Sequence, residues 1–214
     1  MKYSLSSLSF RSVSCCVCVV ALALGGCKIL PEATVDPTRY FVLNGPATTD
    51  PAVARPAGLR QIGLRPVELP GYLRTHKDIV VRTGANELQF QNYACWAESL
   101  ESGINRVLKE RLLATDTIGG VASYPFPLDI RRNFDVVVRV VHCEGLVKSG
   151  KSGVARFAAA YDIIASGAGG QVVVRRAFTA PDLPWDGADF GALARLLSEG
   201  VAKLSDDIAE NLPK

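Results

Sequence analysis

Histidine is almost absent from this 214-residue chain: only His76 and His142 are present. With no H-E-x-x-H and no paired C-x-x-C, the usual ligand sets for a zinc site are missing. No G-x-S-x-G elbow is present to carry a serine nucleophile. His142 stands beside Cys143, but neighbours on a strand point to opposite faces, so the pair is no Cys–His dyad. Neither sign of charge dominates; a formal net charge of +3 gives no basic face for nucleic acid. Also missing is an apolar run of the roughly 20 residues a membrane-spanning helix needs. The one conspicuous run, VSCCVCVVALAL (residues 13–24), is too short.

That run has another meaning. Lys2 and Arg11 precede or border it, no acidic residue occurs before Glu32, and Gly25 and Gly26 follow. A basic start, a short apolar core and small residues behind it make a secretory leader, so the chain is expected to be exported. The leader ends LGGC rather than A-x-A. This resembles the lipobox of bacterial lipoproteins, in which the cysteine after two small residues is acylated and becomes the new N-terminus. The expectation is a signal peptide over residues 1–26, lipidation at Cys27, a tether over 27–38 and one domain over 39–214. Removing Lys2 and Arg11 with the leader brings the net charge from +3 to about +1. Lys28, next to the lipidated position, is not Asp; by resemblance to Gram-negative lipoproteins this implies sorting to the outer membrane.

Within the body, RYFVL (39–43) has strand composition, and residues 44–58, rich in Pro, Ala and Thr, are expected to be a mobile loop. Strands are expected over 59–69, 78–84 and 87–91. Trp96, Leu100, Ile104, Val107, Leu108 and Leu112 fall on one helical face and predict a helix over 93–114. FDVVVRVVHCEG (134–145), VARFAAAYDIIAS (154–166) and QVVVRRAFTA (171–180) read as three consecutive strands, followed by an amphipathic helix over 186–211. The order predicts an α/β domain with a mixed sheet of five or more strands covered by two main helices. Asp162, inside AAYDIIA, is expected to be a strand-surface residue or an ion-pair partner. Arg82 and Glu98 are candidates for a structural ion pair or an interaction surface, and Trp96 for the core.

The run GLVKSGKS (145–152) spells G-x-x-x-x-G-K-[ST], the phosphate-cradling P-loop. A P-loop must lead from a strand into a helix, so that the helix N-terminus meets the phosphates. Here alternation after Ser152 favours another strand. The run is therefore expected to be a polar hairpin tip with Lys148 and Lys151 exposed, binding no nucleotide.

RPVELPGYL (65–73) and the stretch 79–112 resemble the ABC-type transport auxiliary lipoproteins, the PqiC (YmbA) family. The matching residues are Pro66, Val67, Leu69, Pro70, Tyr72, Leu73, Arg82, Gly84, Asn86, Leu88, Trp96, Ala97, Glu98, Leu100, Arg106, Val107 and Leu108. YFVL near the start of the body, the lipobox and the strand-strand-strand-helix order are also similar. The resemblance implies a three-layer α/β fold like the N-terminal domain of TolB. It implies no catalysis and no cofactor, metal or nucleotide. It implies an outer-membrane lipoprotein facing the periplasm, held by acyl chains beside an MCE-domain protein and an ABC transporter that move lipids or other hydrophobic molecules between the membranes. Assembly into a ring of several copies would suit the end of such a conduit. The alternatives are an assembly lipoprotein for lipopolysaccharide export or secretion, and a lipid-anchored hydrolase. Cys95 and Cys143 depart from the family pattern. In an oxidising compartment they form either a disulfide or two separate buried thiols.

Overall fold

A computed structural model describes residues 35–45, 59–147, 152–167 and 169–213. Thr38–Lys214 form one compact unit; Met1–Pro37 form another, of which only 35–37 are described. Cys27 and the lipobox, most of the 44–58 loop, and Lys148 and Lys151 lie outside the described residues.

The spine is strand β6, Phe134–Val147, whose β-branched run suits a strand flanked by others on both edges. Along one edge β6 pairs antiparallel with β7, Gly153–Ala165, from Phe134↔Ala165 to Val147↔Gly153. β7 in turn carries β8, Val172–Thr179, and β9, Leu183–Trp185, both antiparallel. The expected meander of three long strands is therefore present. GLVKSGKS joins two antiparallel strands, not a strand to a helix.

The other edge of β6 is shared. Near its start it takes β2, Arg60–Leu64, in parallel, and near its end β3, Asp78–Gly84, also in parallel. Between these, the RPVELPGYL segment keeps hydrogen-bonding to β6: Arg65 N donates to Val136 O at 3.0 Å and Glu68 N to Val138 O at 2.9 Å, while Glu68 O accepts from Val140 N at 2.9 Å. Pro66 falls between the two donors, where its missing N–H costs nothing. Pro70 then turns the chain into a single helical turn, α1, Gly71–Arg74. β3 pairs antiparallel with β4, Glu87–Trp96, and β4 pairs parallel with the short β1, Arg39–Phe41. Outside β2 lies β5, Ile118–Ser123.

Two amphipathic helices cover the sheet. Helix α2, Leu100–Leu113, starts at Ser99, whose side chain accepts from Ser102 N. Helix α3, Phe190–Glu210, starts at Asp189, which accepts from Gly191 N and Ala192 N. Ile104, Val107, Leu108 and Leu112 of α2, and Leu193, Leu197, Val201, Leu204 and Ile208 of α3, are buried, as their spacing predicted. A Cβ on Gly200 of α3 would stand 2.7 Å from the Phe157 Cβ, and one on Gly145 would meet Trp185 and Leu193. These contacts put Phe157 and Gly145 on the helix-covered face of the sheet.

The expected mixed sheet and two main helices are present, with three local differences. Residues 93–96 continue β4 instead of opening the helix. Trp96, buried among strands, falls in helical register with Leu100 by coincidence, and the break comes at the Ser99 cap. β5 was hidden by its composition, IGGVAS. Its glycines leave room for neighbouring side chains, since a Cβ on Gly120 would collide with Gln61. β9 and α1 are only three and four residues long, too short to show a period.

Candidate functional site

Side chains of β6 and β7 on the face away from α3 carry a row of buried acids. Asp135, Asp162 and Glu144 are 5%, 5% and 0% exposed. A carboxylate can stay charged there only if it is paired and hydrogen-bonded. Each of the three is.

Glu144 has the densest shell. Its Oε1 accepts from Arg82 Nε at 2.7 Å and lies 3.0 Å from His142 Nδ1; its Oε2 accepts from Tyr72 OH at 2.6 Å. Two strands and α1 are thereby tied at one carboxylate. The Arg82 guanidinium also sits over the Tyr72 ring, 5.9 Å from its centroid. Burial first, then Glu144, pushes the Tyr72 hydroxyl well above the usual tyrosine range. The hydrogen bond to Glu144 holds the Arg82 guanidinium above its ordinary value.

Asp162 is held by two arginines from neighbouring strands. Arg139 Nη2 donates at 2.7 Å, and Arg175 donates through Nε at 2.9 Å and Nη2 at 3.3 Å. The Arg175 bond is the largest cause of a carboxyl pKa below the ordinary range, and Arg139 adds to it. Of the two expectations for Asp162, the ion-pair partner is the observed one. Asp135 accepts from Arg132 Nε at 2.9 Å, Arg65 Nη2 at 3.3 Å and Ser166 Oγ at 3.0 Å. The Arg132 guanidinium stacks on Phe126, 3.9 Å from the ring centroid.

A second polar cluster lies at the start of α2. Arg106 Nη2 donates to Glu98 Oε1 at 2.6 Å and to Leu43 O at 2.7 Å, and Arg106 Nη1 stands 3.6 Å from Glu110 Oε1. Arg82 and Glu98 thus do not pair with each other. Each has a nearer partner that the sequence did not disclose, Glu144 for Arg82 and Arg106 for Glu98. The motif residues serve two separate clasps: Tyr72 and Arg82 close on Glu144, while Arg106, held by Glu98, donates to the carbonyl of Leu43 in YFVL.

The disulfide expectation is corrected. Cys95 and Cys143 are not bonded to each other. Cys95 is on β4 and Cys143 on β6, with β3 between them. Two strand spacings are about 9–10 Å, beyond the reach of a disulfide without moving the backbone. Cys95 Sγ instead lies 3.4 Å from Asp78 Oδ1. Cys143 is buried, and burial, with a smaller push from Glu144, raises its thiol far above the ordinary value. Trp96 is core, 4% exposed, though on a strand.

Among the described residues no buried side-chain nitrogen or oxygen lacks a partner, and no three His, Cys, Asp or Glu side chains gather as metal ligands. These networks are satisfied structural clasps on which the polar face is built. The sequence reading missed Glu144, Asp135, Arg132, Arg139 and Arg175. One signal was available: Glu144 interrupts an apolar, β-branched strand, where a charge must find a partner.

The model of the family described as ABC-type transport auxiliary lipoprotein component matches residues 41–209. The chain belongs to this family. A Xanthomonas campestris protein of the DUF330 family shares the fold, with a TM-score of 0.67 at 19% identity over 80% of this chain and 93% of its own. A second solved structure, of an uncharacterized protein, aligns with a TM-score of 0.61 at 19% identity over 82% of this chain and 99% of its own. At these identities the likeness concerns the fold alone. No curated protein sequence matches the chain. In this auxiliary lipoprotein both motif clusters fall inside the matched span: YFVL from Phe41 onward, and everything from Pro66 to Arg106.

Proposed function

We propose that this auxiliary lipoprotein is an outer-membrane-anchored, periplasm-facing, non-catalytic component of an ABC/MCE-type system. That system moves lipids or other hydrophobic molecules between the inner and outer membranes. The family match over residues 41–209 carries the reading. The leader ending in LGGC supports acylation at Cys27, and Lys28 in place of Asp supports the outer-membrane destination. The role is one of contact rather than turnover. The buried acids are engaged by arginines, and the Cys143 thiol is held protonated by burial, so neither offers a poised base or nucleophile. Transport energy would come from the ATPase on the cytoplasmic side.

A rescue experiment tests the anchored role. In a deletion strain with a weakened envelope barrier, the native chain restores resistance to hydrophobic agents. A Cys27→Ala chain, exported behind a cleavable leader without the lipobox, does not. Full rescue by that unanchored chain contradicts the proposal.

A further inference from the structure

One stretch of the sheet's open face is aromatic rather than charged. Tyr40 stands opposite Cys95 in the β1/β4 ladder. Cys95 Sγ meets Asp78, which shares its face of β3 with Arg82, so this is the face that bears Glu144. Tyr93 lies in the stretch of β4 between Phe90 and Cys95, where the register with β3 shifts. Tyr40 is 66% and Tyr93 60% exposed, and Val42 at 43% and Phe90 at 36% extend the patch. Single exposed apolar residues need no explanation, but these four gather on two paired segments, β1 with the residue that follows it and the 90–93 stretch of its partner β4. The bordering segment is basic: Arg74, His76 and Lys77 are all exposed. It is fixed in place, because His76 packs edge-on against Phe90 at 5.2 Å and Lys77 O accepts from Trp96 N at 2.7 Å.

We propose that Tyr40, Val42, Phe90 and Tyr93, with Arg74 and Lys77, form a membrane-docking face that seats on an anionic phospholipid surface. The inference rests on the anchored reading above and deepens it. Tyrosine rings suit the headgroup layer, where one end is apolar and the other wet. Basic side chains beside them complement anionic lipid, each strengthening binding about fivefold near the surface. The sequence also puts the patch at the end of the tether. Residues 27–38 span at most about 40 Å even when extended, and the second residue beyond them is Tyr40. Of the other exposed apolar residues, Leu128 and Ile130 follow β5 at the far edge of the sheet from β1, and Val172 and Val173 lie on β8. With the Tyr40 patch seated, the domain is oriented on the bilayer instead of swinging on its tether.

Tyrosine acetylation by N-acetylimidazole, read by peptide mass spectrometry, tests this on the acylated mature protein. Tyr124, 57% exposed on the strand order's other edge, is the internal reference. On vesicles containing phosphatidylglycerol, labelling of Tyr40 and Tyr93 should fall about tenfold relative to Tyr124, and high salt or pure phosphatidylcholine should restore most of it. Arg74→Glu with Lys77→Glu should abolish the protection while leaving the circular dichroism spectrum unchanged. Tyr40 and Tyr93 labelled as fast as Tyr124 on anionic vesicles would overturn the proposal. Protection that follows protein concentration without vesicles would also overturn it, in favour of a second copy of the chain. Failure of the anchor reads differently: mass spectrometry would find no acyl chains on Cys27. The patch is then judged by low-salt binding of the same protein to the anionic vesicles, and absence of that binding would contradict it.

Discussion

Arg82 Nε donates to Glu144 Oε1 at 2.7 Å, joining β3 to β6 across a carboxylate that is wholly buried. The bond lies on the face that the RPVELPGYL segment borders, and Tyr72 from that segment closes the other carboxylate oxygen. Motif residues far apart in the chain thus make one of the two polar clasps, with the proline-containing segment as its strap.

Breaking that clasp on one side should be costly. Arg82→Leu leaves a buried charge with too few donors and is expected to lower stability by about 3–5 kcal/mol. Glu144→Leu combined with Arg82→Leu should cost less than the sum of the two single changes, because the stranded charge is gone. Urea denaturation of the four proteins measures the coupling, and simple additivity would contradict it.

The Glu98–Arg106 clasp is half-exposed, with side-chain exposures of 34% and 38%. Water screens it, so Glu98→Gln should cost only about 1 kcal/mol. Arg106→Ala also releases the Leu43 carbonyl and should cost about 1–2 kcal/mol more than Glu98→Gln. Equal losses in thermal unfolding would show that the Leu43 bond contributes nothing.

Asp162 and Tyr72 contribute to the pH profile in opposite directions. Asp162 has its folded pKa depressed, so its stabilisation is present above the unfolded carboxyl value of about 3.9 and is lost as pH falls through the lower folded value. Asp162→Asn should flatten the stability curve below about pH 4. Tyr72 has its folded pKa raised, so its contribution is present below about pH 10 and is lost as pH climbs through the folded value. Tyr72→Phe should therefore shallow the alkaline limb while leaving the acid limb alone. Denaturation midpoints across pH check both signs.

GLVKSGKS predicts no nucleotide affinity, because Val147 pairs antiparallel with Gly153 and no helix follows the loop. Millimolar ATP with magnesium should leave the melting temperature unchanged, with and without Lys151→Ala. A shift that depends on Lys151 would refute the hairpin reading.

Length and periodicity decided what the sequence could reveal. β7 and α3 are long and their apolar residues recur at strand and helix spacing, and β6 is a long β-branched run, so strand and helix separate cleanly. Trp96 misled because a strand end and a helix start, joined across Ser99, happen to continue a spacing of four. β5 was invisible because its two glycines carry no pattern, although they are what let Gln61 and Leu59 pack against it. Partners were harder than elements. Arg82 and Glu98 were both recognisable, but spacing along the chain does not tell which of several acids an arginine meets across strands. Cys95 and Cys143 looked bridgeable until β3 was seen to lie between their strands.

Envelope crosslinking tests the central claim most directly. The acylated protein is crosslinked in intact cells, extracted in detergent and purified, and its partners are identified by mass spectrometry. The account predicts an MCE-domain protein together with ABC transporter subunits, and loss of both with Cys27→Ala. Recovery of lipopolysaccharide-export or secretion components with no MCE-domain protein would contradict it.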